Sequence, residues 1–174
     1  SAFPENHPLS LGSGGRANPR PVKHYLAEAD VIFGVGVSFA LTAFGVPMPK
    51  DKTIIHATLD PMDLNKDVPA QYGLIGDAKL TLAALSTAMQ SFDKAPAAAR
   101  ADEPGKIADL REAWMSEWLP KLTNNEAPIN PYRVVAELDR LVDKDNVVIT
   151  HDAGSPRDQN TPDWNSTSPL YSLG

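Results

Sequence analysis

Residues 31–36 form an unbroken apolar run, Val31, Ile32, Phe33, Gly34, Val35 and Gly36, with no polar residue alternating through it. A continuous apolar run predicts a strand buried on both faces, as in parallel sheets flanked by helices. A second run, Thr53 to Leu59, reads as its neighbour, and the Pro61 that follows Asp60 ends it. Tyr72 to Ile75 reads as a short third strand. Arg20 to Ala29 carries Pro21 in its first turn and Val22, Tyr25, Leu26 and Ala29 on one face, which predicts a helix. Residues 40–50 are apolar but rich in proline and too irregular for a helix. Asp77 is a suitable N-cap for a helix whose apolar face is Leu80, Leu82, Ala83, Leu85 and Met89, ending near Gln90.

The pattern then lapses. From Ser91 to Gly105 the chain is small, charged and aperiodic, a solvated linker. This sets a domain at residues 1–92, a linker at 93–105 and a second domain starting at 106–174. In the second part, Lys106 to Leu122 is amphipathic through Ile107, Leu110, Trp114 and Trp118. Two tryptophans a turn apart form a packed face more readily than a binding platform. Asn130 and Pro131 open another helix running to Val142, with Val134, Val135, Leu138 and Leu141 inward. Val147 to Thr150 reads as a buried strand, and residues 151–159 as the loop at its carboxyl end. Residues 160–174 are polar and patternless. The fold class is therefore α/β: a Rossmann-like parallel sheet, incomplete, plus the first helix–strand unit of a second α/β domain.

Composition narrows the function classes. The 174 residues carry a net charge of -6 with no basic face, so nucleic acid is not an expected partner. No apolar run nears the ~18 residues a bilayer requires, and no signal peptide is visible. The absence of cysteine excludes disulfides and thiol catalysis. Together these predict a soluble, cytoplasmic protein. The chain opens at Ser1 rather than Met and stops at Gly174 after turn-like sequence, which reads as a piece of something longer.

Two places offer chemistry. Gly34 and Gly36 lie at the carboxyl end of the first strand, where open α/β sheets bind ligands and where missing Cβ atoms admit a close approach. The rim formed by residues 36–39 and 58–61 is thus a possible nucleotide site. The second place is the loop His151 to Gln159. Asp152, Ala153, Gly154 and Ser155 offer backbone amides, a hydroxyl and a close backbone approach suited to a phosphate. Asp152 and Asp158 oppose an anion unless a divalent cation intervenes. An ordinary strand-to-helix turn, with Arg157 paired to Asp158 or Asp152, stays open as the alternative. His7, His24, His56 and His151 share no metal-ligand spacing with one another or with an acid on one helix face. Ser155 is not in a nucleophile elbow. Gly12, Gly14 and Gly15 match no phosphate-loop spacing, and a flexible connector accounts for them.

Four segments in register carry a resemblance: residues 2–12 (Ala2 to Gly12), 28–36 (Glu28 to Gly36), 54–61 (Ile54 to Pro61) and 76–79 (Gly76 to Lys79). In order and spacing they resemble the middle domain of the thiamine diphosphate-dependent, acetolactate synthase-like enzymes. Residues 129–131 and 148–159 look like the opening of that family's C-terminal, diphosphate-binding domain. The resemblance implies an oligomeric decarboxylase or carboligase acting on a 2-oxo acid or related acyl substrate, with thiamine diphosphate and Mg²⁺ as cofactors. It implies that the loop matching Asp152, Ala153, Gly154 and Ser155 touches the cofactor's diphosphate in the complete protein. It also implies that the activating glutamate and the Mg²⁺-binding segment lie outside these 174 residues, so that this chain alone is inactive. Some members bind FAD or ADP on the middle domain through an arginine and an acid. This sequence has Ser38 and Thr58 at those positions, which argues against FAD. The competing reading is a freestanding nucleotide-binding or purely structural Rossmann-like module, with Gly34, Gly36 and Thr58 lining an adenine site.

Overall fold

The computed structural model describes residues 3–12, 19–42, 47–92, 100–150 and 172–173. The chain divides into two compact units. One is His24–Arg100; the other combines Ser1–Lys23 with Ala101–Gly174. Residues 1–23 group with the second unit rather than with the strands.

The unit of residues 24–100 is built on a three-stranded parallel sheet. Helix α1 (Arg20–Glu28) leads directly into β1 (Val31–Val35), followed by β2 (Thr53–Thr58) and β3 (Tyr72–Ile75), in the spatial order β1-β2-β3. Val31 pairs with Thr53 and Val35 with Ala57; Ile55 pairs with Tyr72 and Thr58 with Ile75. The register brings the carboxyl ends of all three strands to one edge. Lys52 Nζ fastens the start of β2 to the end of α1 by donating to the Ala27 carbonyl at 2.6 Å.

The core of this unit is β2. Ile54, His56, Ala57 and Thr58 are buried, and burying the Ile54 side chain alone contributes about 2 kcal/mol. Here the expectation for β1 needs correction. Its unbroken apolar run suggested burial on both faces, yet Val31 is 51% exposed and, apart from Gly34, the rest of the strand is only half-buried. β1 is an edge strand, so its composition reflects strand propensity and one-sided cover, while the central position belongs to β2.

Connections in this unit are held by side chains. Gln71 brackets Ile54: its Oε1 accepts from the Ile54 amide at 2.6 Å and its own amide donates to the Ile54 carbonyl. After β2, the Asp60 carboxylate accepts from the Met62 amide at 2.9 Å and caps a 3-10 turn at Pro61–Asp63. Helix α2 (Ala78–Met89) begins where expected, with Asp77 Oδ1 accepting from the Leu80 amide at 3.0 Å. Its apolar face is another correction. No residue of α2 is buried, and Leu80 is 70% exposed. Periodicity correctly located the helix, but no described layer covers that face.

In the unit of residues 1–23 and 101–174, α3 spans Glu103–Leu122 and α4 spans Pro131–Leu141. Helix α3 thus starts three residues inside the expected linker. Pro104 suits a first helical turn, where its missing N–H has no partner to lose, and Lys106 pairs with Glu103 at 2.7 Å. Ile107 and Leu122 are buried. Trp114, Trp118 and Tyr132 form an aromatic chain with ring centroids 6.1 and 5.0 Å apart, and the Lys121 ammonium sits 4.5 Å from the Trp118 centroid. Trp118 therefore meets α4 through Tyr132, and both tryptophans are half-buried. Asn130 caps α4 through the Tyr132 amide at 3.0 Å. Val134, Leu138 and Leu141, expected inward, are exposed; the inward face is set instead by Tyr132 and its neighbours. Arg20 pairs with Glu117 at 2.6 Å, and Arg111 donates to the Glu5 carbonyl at 3.3 Å. The last expected strand is shorter than its apolar run. β4 is Ile149–Thr150, pairing in parallel with β5 (Ser172–Leu173) in a segment that sequence patterning left unassigned. Val148, expected buried, is exposed.

Candidate functional site

The carboxyl-end rim of the sheet is where Gly34, Gly36 and Thr58 converge. The Gly36 amide donates to the Ala57 carbonyl at 2.9 Å and the Gly76 amide to the Thr58 carbonyl at 3.0 Å, so Gly36, Thr58 and Ile75 stand level across the three strands. Gly36 adopts φ +63°, a left-handed conformation that favours glycine, with open space where a Cβ would stand. This glycine serves the turn off β1.

Gly34 has a different task. It is buried, and a Cβ built there would stand 2.5 Å from Phe39 Cε2 and 2.8 Å from Val37 Cγ2. The close approach that Gly34 permits is therefore made by the chain's own Phe39. That side chain lies edge-on to His56, with ring centroids 4.9 Å apart at 79°.

His56 is the most deeply buried polar group here, at 0% exposure. Its Nε2–H donates to the Val37 carbonyl at 2.6 Å. That bond fixes a proton on Nε2, and Nδ1, also buried, finds no hydrogen-bond partner among the described residues. Among the described residues no cluster of three or more His, Asp or Glu is placed to hold a metal. What periodicity cannot show is that His56 reaches across the sheet to grip the turn after β1.

Ser38 and Thr58 both bond locally. Ser38 Oγ accepts from the Ala40 amide at 3.3 Å, and Thr58 Oγ1 accepts from the Asp60 amide at 3.3 Å while the residue stays buried. Farther along, the Leu41 amide donates to Asp67 Oδ2 at 3.0 Å. The notch of this rim is filled by Phe39, and the Ser38 and Thr58 hydroxyls serve local turns.

The other predicted site, Asp152, Ala153, Gly154 and Ser155, lies outside the described residues, as do Gly14 and Gly15. The described chain reaches Thr150 in β4, immediately before that loop. Upstream, Arg133 ties α4 to the end of α3: Nη1 donates to the Thr123 carbonyl at 2.9 Å, the Asn124 carbonyl at 3.1 Å and Asn125 Oδ1 at 3.0 Å, while Nε meets Glu137 at 2.9 Å. Hydrogen bonds from Arg140 and then Arg133 hold the Glu137 carboxyl below its ordinary value of 4.5.

Comparison with known proteins gives this geometry its context. Residues 1–85 match the family described as thiamine pyrophosphate enzyme, central domain. A probable acetolactate synthase large subunit of Methanocaldococcus jannaschii is 30% identical over 167 residues, covering 87% of this chain and 26% of the relative. One from Methanococcus aeolicus is 28% identical over 159 residues, covering 86% of this chain and 26% of the relative. The pyruvate oxidase of Lactiplantibacillus plantarum is 22% identical over 143 residues, 82% of this chain and 23% of the relative. The chain thus spans about a quarter of the length of these relatives. With a parallel α/β sheet where the family match falls, residues 1–85 of this chain belong to the thiamine pyrophosphate enzyme central-domain family.

Proposed function

We propose that this chain is part of a thiamine diphosphate-dependent decarboxylase or carboligase acting on a 2-oxo acid or related acyl substrate. The observation that carries the reading is the central-domain match over residues 1–85, continued by relatives that are mostly acetolactate synthases. When bound, thiamine diphosphate supplies the carbanion chemistry, and the protein binds it, orients it and excludes water. In this reading Asp152, Ala153, Gly154 and Ser155 meet the diphosphate, with Mg²⁺ as the bridging cation. The unit of residues 24–100 acts as scaffold: its sheet rim is filled from within.

Because the chain spans about a quarter of its relatives, turnover belongs to a longer polypeptide, and the 174 residues alone are inactive. The test has two arms. Calorimetric titration of this chain with Mg²⁺-thiamine diphosphate should give no heat. The longer polypeptide should consume pyruvate or another 2-oxo acid only when thiamine diphosphate and Mg²⁺ are added. Turnover without the cofactor would overturn the reading.

Association is the second part of the proposal. Tyr72, Ile75, Leu80, Met89 and Phe92 are all exposed apolar residues in one unit, and both outer strands of its three-stranded sheet lack a partner among the described residues. Unpaired edges and uncovered apolar surface favour pairing with another copy. The working state is a homo-oligomer.

A further inference from the structure

The side chain of Phe39 stands where the sheet rim would otherwise admit a ligand. We propose that Phe39 is an intramolecular plug: its ring fills the notch that Gly34 opens beside His56, so that a planar aromatic ligand reaches this rim only by displacing it. The inference stands apart from the thiamine diphosphate reading, since it concerns the unit of residues 24–100 and no cofactor.

Three observations carry it. First, the glycine at position 34 makes room that the ring uses. A Cβ there would come within 2.5 Å of Phe39 Cε2, so the notch is shaped to an aromatic ring. Second, Phe39 is held in an unfavourable backbone conformation. Its φ is +50°, which costs a non-glycine residue about 1–2 kcal/mol and persists only where surrounding contacts impose it. Contacts on both sides impose it: His56 grips the Val37 carbonyl two residues earlier, the Ala40 amide is taken by Ser38 Oγ, and the Leu41 amide by Asp67. Third, the ring is half-buried rather than sealed beneath a second layer. Rotation of its side chain into solvent leaves a slot walled by the backbone of Gly34 and the buried His56 ring. The ligand class that fits is an uncharged planar aromatic ring, because the space is one that such a ring already fills, edge-on to His56.

The experiment uses the 174-residue chain and para-fluorophenol, followed by fluorine NMR. The chain with Phe39 intact should bind the probe weakly. Phe39→Ala should bind it saturably and about tenfold or more tightly, because the probe's ring then fills the vacated slot. Adding Gly34→Ala to that variant should remove the gain by placing a methyl group in the notch. Equal binding by the parent and Phe39→Ala would overturn the proposal. Should Phe39→Ala fail to fold, Phe39→Leu decides the matter. Loss of the aromatic ring 4.9 Å from His56 should move the imidazole proton resonances, and unmoved resonances would overturn the plug.

Discussion

The His56 Nε2–H and the Val37 carbonyl meet at 2.6 Å, joining the middle of the central strand to the turn that leaves the edge strand. His56 is fully buried, while Val37 on the turn is exposed. Loss of the imidazole would remove this bond and leave a cavity beneath the turn. His56→Ala should destabilise the sheet unit by about 2–4 kcal/mol, the sum of a buried hydrogen bond and a large-to-small core change. Urea unfolding followed by far-ultraviolet dichroism measures it. A change near zero would mean the histidine is not holding the turn.

The two rim glycines should fail for different reasons. Gly36 has φ +63° and open space around it, so Gly36→Ala should cost about 1–2 kcal/mol through backbone conformation alone. Gly36→Asn should recover part of that, because asparagine tolerates the left-handed region. Gly34→Ala should cost about 1–3 kcal/mol through overpacking, and that cost should shrink when Phe39 is shortened to leucine. If Gly34→Ala is equally costly with and without Phe39, the two side chains do not share the notch.

Arg133 gathers the Thr123 and Asn124 carbonyls and Asn125 Oδ1 at the end of α3 while pairing with Glu137. Arg133→Ala should lower the melting temperature of the helical unit, with a cost of about 1–2 kcal/mol. Arg133→Lys should rescue little, since a single ammonium cannot reproduce the planar fork.

Glu137 sets the pH dependence of that corner. Its carboxyl titrates below its ordinary value of 4.5 in the folded chain because Arg140 and Arg133 hydrogen-bond to the charged form. The unfolded chain therefore binds the proton more readily. The contribution is present above the ordinary carboxylate value and is lost as pH falls through the folded one. The stability difference between the parent and Glu137→Gln should be measurable at neutral pH, reduced by salt because solvent reaches the half-exposed group, and absent in strong acid. A difference that persists in acid would mean the glutamate acts by packing rather than charge.

Association should be visible directly. Sedimentation at tens of micromolar should show species larger than one chain, and the charged substitutions Leu80→Lys and Met89→Lys, which interrupt the exposed face of α2, should shift the distribution toward monomer. A monomer in the parent at all concentrations would remove the oligomer from the functional reading.

Local signals in the sequence were enough to locate most of the elements. Apolar runs gave β1, β2 and β3, and the caps at Asp77 and Asn130 gave the starts of α2 and α4 within a residue, because a cap is a hydrogen bond between near neighbours. The four segments in register were enough to indicate the family, which the match over residues 1–85 bears out. Sequence did not fix burial. Val31, Leu80, Val134 and Leu138 have the composition of core residues and stand exposed, because burial depends on what covers a face, and covering layers come from distant parts of the chain or from outside it. β5 at Ser172–Leu173 went unassigned for the same reason: its pairing with β4 is a long-range backbone ladder that leaves no local mark.

The candidate rim divides in the same way. Gly34 and Gly36 are identifiable from sequence as places without a Cβ, and the strand pattern puts them at a carboxyl end. Tertiary structure decided what each space is for. Gly36 has its left-handed φ because the chain turns there; Gly34 is bare because Phe39 needs its volume; His56 is buried because β2 became the central strand. Each outcome depends on contacts between residues 5 to 22 positions apart, too irregularly spaced to leave a periodicity in the sequence, and set only when the three strands take their register.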